Sequence, residues 1–487
     1  MTLEKLLNKI NIFDSNVDFY MEIASIVSDH RKIKNGDIFV AIRGEQRDGN
    51  EYIKEAINIG AIAILTDKKQ ICEKNIPYIF VENARKALSI IWSNYYNNPS
   101  NDIITVAITG TNGKTSSAYF LYNILRCANI SSGLISTVEC VINDEKLELD
   151  SLSSVIDIPS SMTTPDPEIL FYIYNKMKEK GVEMVVIEAS SHALEQNRLE
   201  GIDILIGGFT NLSLDHLDYH GTFDAYKKAK EKLMAKSGVQ IVNLDDEYGK
   251  ALKEKYNCIG YSATQIADFY AENIVETEKG CFYDLLYGKK RIRVESSIIG
   301  SYTVYNSMLA CACALCLGID EKDVISGIKN TKFIKGRLEK YRDKNIFIDY
   351  AHTPDAMEKV ITSVRQVYKD KKIIVIFGCG GNRDREKRGE MGRIASSLAD
   401  LTIITSDNSR NEAANEIIAD IVRGVCENKS FLVIPKRADA IKFATKLLNE
   451  RYVLLLLGKG HEEYEIDKNG KSRFSEKEIL DEVFTLD

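Results

Sequence analysis

The sequence lacks any apolar run long enough to cross a membrane. Its uninterrupted apolar runs, such as Val453 to Leu457, fall far short of the roughly 20 residues of a transmembrane helix. Charged residues interrupt the apolar pattern of the N-terminus, so no signal peptide is recognised. Basic residues are not in excess, since 64 Lys and Arg stand against 71 Asp and Glu. We therefore expect a cytoplasmic protein that binds neither membrane nor nucleic acid.

The sequence also lacks paired cysteines at metal-ligand spacing, internal repeats and low-complexity segments. The ten cysteines sit singly, except Cys311, Cys313 and Cys316 in a small-residue apolar segment that predicts a buried helix. No second ligand pair or nearby histidine completes a zinc site there, so we expect core packing and reduced thiols. At 487 residues the chain is too long for one core, and two to four domains are expected.

A phosphate-binding motif is present between residues 105 and 120. An apolar run, Thr105 to Ile108, precedes a glycine-rich turn and a helix-compatible segment. The turn consists of Gly110, Thr111, Asn112, Gly113, Lys114, Thr115 and Ser116. Backbone N–H groups of such a turn can hold phosphate oxygens, while the lysine reaches the β/γ-phosphates and the threonine hydroxyl can hold Mg²⁺. The spacing is not the strict Walker one, but a strand before G-K-T and a helix after it favour nucleotide binding over an ordinary tight turn.

Strands and helices alternate along most of the chain, which predicts an α/β fold with mostly parallel sheets. The expected domains are residues 1–100, 101–336 and 337–487. Candidate strands of the second and third are Ile103–Thr109, Glu183–Ile187, Ile204–Thr210, Gln240–Leu244, Ile346–Tyr350, Ile373–Phe377, Leu401–Thr405, Phe431–Ile434 and Tyr452–Leu457. Ligands bind at the carboxyl ends of such strands, so polar residues there are site candidates.

Several of these predicted strands end in residues that could bind a metal ion or a ligand. Glu188 directly follows a strand and is a plausible Mg²⁺ ligand, although a capping or salt-bridged carboxylate is the alternative. Three of the six histidines lie between residues 192 and 220, and the cluster around Asp215 and His216 suggests a metal site. Four polar strand ends after residue 337 together predict a second ligand-binding edge.

These motifs together resemble the Mur ligases along essentially the whole chain, and most of all the members that add the third residue of the peptidoglycan precursor. The resemblance is carried by GTNGKTS, TTPDP, EASSHALEQNR, FTNLSLDHLDYHGTFDAYKKAK, KGRLE, DYAHTPD, GCGGNRDREKR and GKGHE. It implies a three-domain architecture with a central P-loop parallel-sheet domain and a C-terminal Rossmann-like domain. It also implies a peptidoglycan-synthesis ligase that uses ATP and Mg²⁺ and joins a diamino acid to UDP-MurNAc-L-Ala-D-Glu through an acyl phosphate.

The resemblance further implies roles for individual residues. Lys114, Glu188, His216, Lys230 and His352 match catalytic positions, and Asn306, Arg337 and Asp349 match ATP contacts beside the P-loop. Metal ligands would be Thr115, Glu188, His216 and Lys230 as its carbamate, N6-carboxylysine. The UDP-substrate would contact Asp29, His30, Gln46, Thr163, Thr164, Ser190, Gln196 and Arg198.

The resemblance places the incoming amino acid against Arg383, Asp407, Asn408, Arg410, Gly458 and Glu462. Arg410 can pair bidentately with a carboxylate, which meso-diaminopimelate has at its far end and lysine lacks. Ser409 stands where the family has proline, which predicts a looser loop around Arg410. His30 replaces a family serine at the UDP end.

Two alternatives to this function stay open. One is a related ligase that uses L-lysine or a different carboxylate and amine. The other is a nucleotide-binding homologue without turnover, although the joint presence of Lys114, Glu188, His216, Lys230 and Arg337 counts against it. No stable protein partner is recognisable, and we expect a monomer.

Overall fold

The computed structural model describes residues 1–44, 47–69, 75–147 and 163–485. The chain forms two compact units. The first comprises Met1–Thr109, Ile130–Gly207 and Ala229–Val239, and the second comprises Gly110–Asn129, Gly208–Lys228 and Gln240–Asp487. Of the helices in the described residues, none has the length and apolar composition of a membrane span.

Up to the phosphate-binding motif the elements are α1 (Leu3–Leu6), β1 (Ile12–Ser15), β2 (Ile26–Val27), β3 (Ile38–Val40), α2 (Ile53–Ile59), β4 (Ala63–Thr66), β5 (Tyr78–Val81), α3 (Ala84–Tyr95) and β6 (Ile104–Thr109). The next are α4 (Lys114–Cys127), β7 (Ser132–Ile135), β8 (Cys140–Ile142), β9 (Glu145–Lys146), α5 (Pro167–Glu179), β10 (Met184–Glu188), α6 (Ser191–Glu195), β11 (Ile204–Phe209), α7 (Leu217–His220), α8 (Phe223–Lys236) and β12 (Ser237–Asn243).

The remaining elements begin with α9 (Glu247–Tyr256), β13 (Ile259–Ser262), β14 (Phe269–Thr277), β15 (Gly280–Tyr287), β16 (Lys290–Ser296), α10 (Ser301–Cys316), α11 (Glu321–Asn330), β17 (Glu339–Lys340) and β18 (Ile346–Asp349). They end with α12 (Pro354–Val367), β19 (Lys372–Phe377), α13 (Glu386–Leu398), β20 (Leu401–Ile404), α14 (Ala414–Val422), β21 (Phe431–Val433), α15 (Arg437–Leu447), β22 (Tyr452–Leu457), β23 (Tyr464–Asp467), β24 (Gly470–Arg473) and α16 (Glu476–Thr485).

The first unit contains one predominantly parallel sheet and one mixed run of strands. The N-terminal sheet has the order β1-β5-β4-β3-β2, and only β1 runs antiparallel to its neighbour. A second run of strands has the order β9-β8-β7-β10-β6, in which β10 pairs in parallel with both β6 and β7. Parallel pairing places the carboxyl ends of β6 and β10, including Glu188, at one sheet edge.

The second unit contains the sheet that the sequence predicted for residues beyond 337. Its order is β17-β18-β22-β19-β20-β21, and every pair except β17 with β18 is parallel. In β22, Val453 and Leu455 belong to the core on one face, while Leu454 and Leu456 belong to the core on the other. Both faces are covered, which explains why the strand reads as an uninterrupted apolar run rather than as alternation.

An antiparallel segment of the second unit departs from the predicted strand–helix alternation. Strands β14, β15 and β16 form an antiparallel meander beside β12 and β13. The cysteine-containing helix α10 packs against this region and against α4. Cys311 and Cys313 are buried as expected, but Cys316 in the last turn of α10 is exposed, which corrects the prediction of core packing for all three.

Candidate functional site

The glycine-rich turn after β6 adopts a conformation that only glycine accommodates at two positions. Gly110 has φ 143° and Gly113 has φ 88°, both in the region that side chains disfavour. A Cβ at Gly110 would lie 1.8 Å from Thr210 Oγ1, and one at Gly113 would lie 2.3 Å from Asn306 Oδ1. The turn therefore lies in close contact with its neighbours, and Asn306 is placed beside it from α10.

The residues after β11 hold this P-loop in place. Asn211 accepts the Thr111 N–H at its carbonyl (2.8 Å) and the Asn112 N–H at Oδ1 (3.0 Å). Thr210 Oγ1 donates to the Asn112 carbonyl at 2.6 Å, and the Ser213 N–H donates to Thr111 Oγ1 at 3.0 Å. The sequence interpretation treated this segment as part of a metal-binding cluster. Its described contacts add a different role, the preorganisation of the P-loop backbone.

Lys114 begins helix α4 and folds back over the turn. Its ammonium donates to the carbonyl of Gly110 at 2.8 Å and to that of Thr111 at 2.9 Å. Thr115 and Ser116 follow in the first helical turn, and both are buried. The positive charge and the helix N-terminus are therefore directed at the same concave backbone, the arrangement that binds phosphate.

Arg337 lies next to this turn within the second unit, and Asp349 interacts electrostatically with Arg337. Arg337 Nη2 donates to Thr115 Oγ1 at 3.0 Å, and the guanidinium carbon lies 4.8 Å from the centre of the Tyr350 ring. Asp349 is buried and accepts the N–H groups of Leu338 (2.6 Å) and Ala351 (2.7 Å). Burial raises the pKa of Asp349, and Arg337 opposes that shift. Arg337 is thereby fixed beside the P-loop threonine, whereas Asp349 is held by backbone donors of its own segment.

His352 is held as a neutral imidazole. Burial lowers its pKa to about 4, Lys387 adds to this shift, and Asp215 opposes it. His352 Nδ1 lies 2.8 Å from the Tyr350 carbonyl oxygen, and that contact requires the proton on Nδ1. Nε2 consequently carries the lone pair near neutral pH.

His216 occupies a left-handed backbone conformation just before α7, with φ 53°. Its Nε2 lies 3.4 Å from Asp215 Oδ2, and its side chain is partly exposed. Burial would raise the pKa of Asp215, but His216, His352 and Lys387 outweigh burial, and the pKa of Asp215 is lowered. An ionised carboxylate therefore lies beside His216 and interacts electrostatically with His352 in the second unit.

A buried charged cluster lies at the carboxyl edge of the second unit's parallel sheet. Lys459 is fully buried and lies 3.8 Å from Asp407 Oδ1 and 3.7 Å from Glu462 Oε2. Its ammonium donates to Asn408 Oδ1 at 3.1 Å, while the Asn408 amide donates to Glu462 Oε2 at 2.8 Å. Burial raises the pKa of Glu462. At Asp407 burial acts in the same direction, but the positive charges of Lys459 and Arg437 outweigh it, so the pKa of Asp407 is lowered. Lys459 was absent from the sequence-predicted site.

The remaining predicted amino-acid residues surround this cluster. Arg410 has φ 51° and donates from Nη1 to the carbonyls of Gly381 (3.0 Å) and Asn408 (3.2 Å). Burial lowers the pKa of Arg410, and nearby Arg383 adds to the shift. At Gly458, where φ is 109°, a Cβ would lie 2.9 Å from Asp407 Oδ2. Two arginines and two carboxylates therefore come together along one sheet edge.

In the first unit, Glu188 ends β10 with its side chain fully buried. Its Oε1 accepts the Thr137 N–H at 2.8 Å, and its Oε2 accepts Thr137 Oγ1 at 3.0 Å. Thr137 Oγ1 in turn lies 3.0 Å from Thr163 Oγ1. The described donors to Glu188 are thus a loop N–H and a hydroxyl, and its role as a Mg²⁺ ligand stays a prediction.

The predicted muramoyl-side residues of the first unit also lie together. Thr164 Oγ1 donates to the Glu188 carbonyl at 2.7 Å and accepts the Ser190 N–H at 3.0 Å. Arg198 donates from Nη1 to the Thr164 carbonyl at 2.7 Å and from Nη2 to Gln196 Oε1 at 2.8 Å. The sequence motifs TTPDP and EASSHALEQNR therefore form one contiguous polar surface.

The N-terminal candidates of the first unit form a separate group. Asp29 accepts two hydrogen bonds from the Arg31 guanidinium, and these lower the pKa of Asp29 against the effect of burial. His30 stacks on Tyr52, with 3.9 Å between ring centres and 6° between ring planes. The structure therefore gives the unusual His30 an aromatic partner. Gln46 lies outside the described residues.

Lys230 lies in α8 and is buried, with 2% of its surface exposed. A buried lysine on an otherwise basic helix agrees with the special role that the resemblance gave it, although its carbamylation stays a prediction. In the part of the chain that the structure describes, no group of three His, Cys, Asp or Glu side chains is arranged to hold a metal ion.

The sheets and the P-loop define a nucleotide-binding α/β protein. Three family models match it: Mur ligase family, catalytic domain (residues 22–96), Mur ligase middle domain (108–314) and Mur ligase, glutamate ligase domain (336–460). The chain belongs to the Mur ligase family. Like the members of that family, it is an ATP-dependent ligase. The predicted family and fold class are thereby confirmed.

Curated relatives that match over nearly the whole length are named as 2,6-diaminopimelate ligases. The chain is 38% identical to UDP-N-acetylmuramoyl-L-alanyl-D-glutamate–2,6-diaminopimelate ligase 1 of Clostridium acetobutylicum, with 99% of each chain covered. It is 37% identical to the corresponding ligase of Clostridioides difficile, with 100% of each covered. A solved structure of a ligase with this name matches at a TM-score of 0.68 and 27% identity, covering 100% of this chain and 99% of the other. A MurF ligase of Thermotoga maritima in complex with ADP shares the fold, with a TM-score of 0.60, 19% identity and 94% and 96% coverage.

Proposed function

We propose that the protein is the ATP-dependent ligase that joins meso-diaminopimelate to the D-Glu residue of UDP-MurNAc-L-Ala-D-Glu in peptidoglycan precursor synthesis. Relatives of that name, 36–38% identical over nearly the full length, support the proposal. The observation that carries the choice of amine is the presence of Arg410 near the carboxylates Asp407 and Glu462 at one sheet edge, where each influences the pKa of Arg410. An arginine can bind a distal carboxylate while the acidic pair binds an ammonium group, which matches a diamino diacid better than lysine.

The reaction proceeds in two steps. The γ-carboxylate of D-Glu attacks the γ-phosphoryl group of ATP, which forms an acyl phosphate and releases ADP. The amine of the diamino acid then adds to the acyl carbon, and the tetrahedral intermediate collapses to an amide with loss of phosphate. The amine loses a proton on the way. Lys114 and Arg337 offset negative charge on the phosphoryl oxygens, because both lie at the P-loop.

His352 has the properties needed to orient the amine. Its Nε2 lone pair can accept a hydrogen bond from an N–H group, while Nδ1 is fixed by the Tyr350 carbonyl. With a pKa of about 4 the ring does not keep a proton at neutral pH, so we infer an orienting role rather than storage of the proton.

Mg²⁺ fits the donor chemistry of the predicted ligands. The Thr115 hydroxyl and the Glu188 carboxylate are hard oxygen donors, and Mg²⁺ combines one or two such groups with phosphate oxygens and water. The assignment of Thr115, Glu188, His216 and carbamylated Lys230 as metal ligands stays a prediction. When bound, Mg²⁺ neutralises charge on the transferred phosphoryl group.

The UDP-substrate contacts, the cytoplasmic location, the monomeric state and the three domain limits stay predictions. We assign the dipeptide end of the UDP-substrate to the surface of Thr163, Thr164, Ser190, Gln196 and Arg198. The uridine end is assigned to Asp29, His30 and Gln46.

The test is phosphate release from ATP by the purified protein with Mg²⁺ and UDP-MurNAc-L-Ala-D-Glu. Three reactions are compared, with meso-diaminopimelate, with L-lysine and with no amino acid. We expect turnover with meso-diaminopimelate and little with lysine. Turnover with lysine alone would keep the ligase chemistry and overturn the choice of amine, and ATP binding without turnover would support a different acceptor or a non-catalytic homologue.

A further inference from the structure

The loop that carries Arg410 is tied down at its end by Glu412. We call residues 407–412 the specificity loop. The Glu412 carboxylate accepts hydrogen bonds from Arg388 Nη1 (3.0 Å) and Nη2 (2.9 Å), from Arg385 Nη2 (2.9 Å) and from the Asn382 N–H. The Arg388 side chain is 1% exposed and that of Glu412 is 12% exposed. We call the contact between Glu412 and Arg388 the Glu412 clamp. It is a well-shielded, bidentate ion pair rather than a solvated surface contact.

Glu412 joins the specificity loop to the GCGGNRDR loop that follows β19. The two loops exchange backbone contacts: Gly381 N donates to the Asn408 carbonyl at 2.9 Å, and Asn411 N donates to Asn382 Oδ1 at 3.1 Å. The Arg410 guanidinium uses the same junction, since its Nη1 donates to the Gly381 carbonyl at 3.0 Å. The position of Arg410 thus depends on these two loops staying in place relative to each other.

These contacts bear on the effect of Ser409, which stands where the family has proline. A proline there would fix its own φ, and serine does not. The looser loop predicted from Ser409 stays a prediction, but the Glu412–Arg388 pair supplies a restraint three residues further on. Arg410 N also donates to the Ile466 carbonyl at 3.0 Å, which adds a second anchor.

We propose that Glu412 is a positioning residue that, through Arg388, fixes Arg410 for the distal carboxylate of the amino acid and so sets the preference for meso-diaminopimelate over lysine. The inference rests on the proposed function for its substrate. The restraint on the loop is a separate physical claim that can be measured without any substrate.

The first variant is Glu412→Gln, which keeps the shape of the side chain and removes its charge. Arg388 retains a carboxylate partner in this variant, because its Nη1 also donates to Asp420 Oδ2 at 2.9 Å. The matched control is Glu416→Gln, since Glu416 is exposed on the neighbouring helix α14. Glu412→Asp, which keeps the charge on a shorter stem, serves as the conservative variant.

Two measurements are made on each full-length protein. Hydrogen exchange of the ligand-free protein follows the amides of Arg410, Asn411 and Glu412. Steady-state kinetics give KM and kcat for meso-diaminopimelate, L-lysine and ATP. For Glu412→Gln we expect faster exchange at these amides and a KM for meso-diaminopimelate raised by about ten-fold or more, with KM for ATP unchanged. Discrimination against lysine should fall, and Glu412→Asp should recover part of both effects.

Unchanged exchange and unchanged KM in both Glu412 variants would overturn the proposal. A lower kcat with unchanged KM for meso-diaminopimelate would also overturn it, because that pattern indicates a smaller folded fraction rather than a displaced Arg410. If the wild-type protein does not turn over meso-diaminopimelate, the proposed function fails. The exchange data then still decide whether Glu412 holds the loop, and faster exchange in Glu412→Gln would support that part.

Discussion

Arg337 Nη2 donates a hydrogen bond of 3.0 Å to Thr115 Oγ1, while the same guanidinium lies 4.8 Å from the centre of the Tyr350 ring. One side chain thus joins the first turn of the P-loop helix to the end of strand β18. Its planar shape matters for both contacts, since a lysine can neither stack on the ring in the same way nor offer a rigid fork. The guanidinium is therefore fixed at the predicted phosphate position before ATP binds.

We expect Arg337→Lys to raise KM for ATP and to lower kcat, together reducing kcat/KM by about 100-fold, because a preorganised donor to the phosphoryl group is lost. Phosphate release at varied ATP concentration measures the effect. Arg342→Lys is the control, since Arg342 is an exposed residue paired with Asp481. Equal effects of the two substitutions would contradict the role of Arg337.

Gly113 is required for space as well as for its backbone angle. A Cβ there would lie 2.3 Å from Asn306 Oδ1, whereas one at Gly181, which also has positive φ, meets nothing within 4 Å. We expect Gly181→Ala to cost about 1–2 kcal/mol of stability, the usual left-handed penalty, and to leave ATP affinity unchanged. Gly113→Ala should reduce ATP affinity strongly. Calorimetric titration with ATP and denaturant unfolding of both variants separate the two effects, and equal ATP affinities would refute the packing argument.

The Glu412 clamp should make stability depend on acidity. The hydrogen bonds from Arg388 lower the pKa of Glu412 from 4.5 to about 2. A carboxyl whose pKa is lower in the folded protein stabilises the fold above pH 4.5, and this contribution is lost as the pH falls towards 2. Glu412→Gln should therefore be less stable than wild type at neutral pH, and the difference should shrink below pH 4.5. Denaturant unfolding across this range tests it, and a difference that stays constant would contradict the clamp.

Lys459 should control the binding of the amine through Asp407 and Glu462. Without its ammonium, two carboxylates share a buried site with less compensating charge, so the pair should hold a proton at higher pH. We expect Lys459→Met to raise KM for the amino acid and to move the acid limb of its pH profile upwards, while KM for ATP changes little. The exposed Lys468→Met is the control. A lower kcat with an unmoved pH profile would show that Lys459 only supports folding.

The P-loop and most of the sheet framework could be predicted from the sequence, because their signals are local. Strand β22 was predicted at Tyr452–Leu457 and is found there, and β19 begins one residue before its predicted start at Ile373. Glycines, apolar runs and strand-end motifs are read within a few residues of each other. The antiparallel β14–β16 meander was missed because the expected pattern assumed strand–helix alternation.

The supporting residues could not be predicted in the same way, because their partners are distant in sequence. Asn211 is about 100 residues from the P-loop it holds, and Lys459 is 51 residues from Asn408. In the sequence alone, Lys459 and Glu412 are indistinguishable from ordinary polar residues. Their roles are visible only in the folded chain, where Lys459 is fully buried and Glu412 pairs with Arg388. The site's reacting residues are thus local motifs, whereas their positioning depends on tertiary contacts.

The most direct test of the account is a competition between two amines. The protein is incubated with ATP, Mg²⁺, UDP-MurNAc-L-Ala-D-Glu and equal concentrations of meso-diaminopimelate and L-lysine, and the nucleotide-linked product is identified by mass spectrometry. We predict a product that contains diaminopimelate, with at most a trace of the lysine adduct. A product that is mainly the lysine adduct would contradict the proposed function. The absence of both products, although ATP binds, would also contradict it.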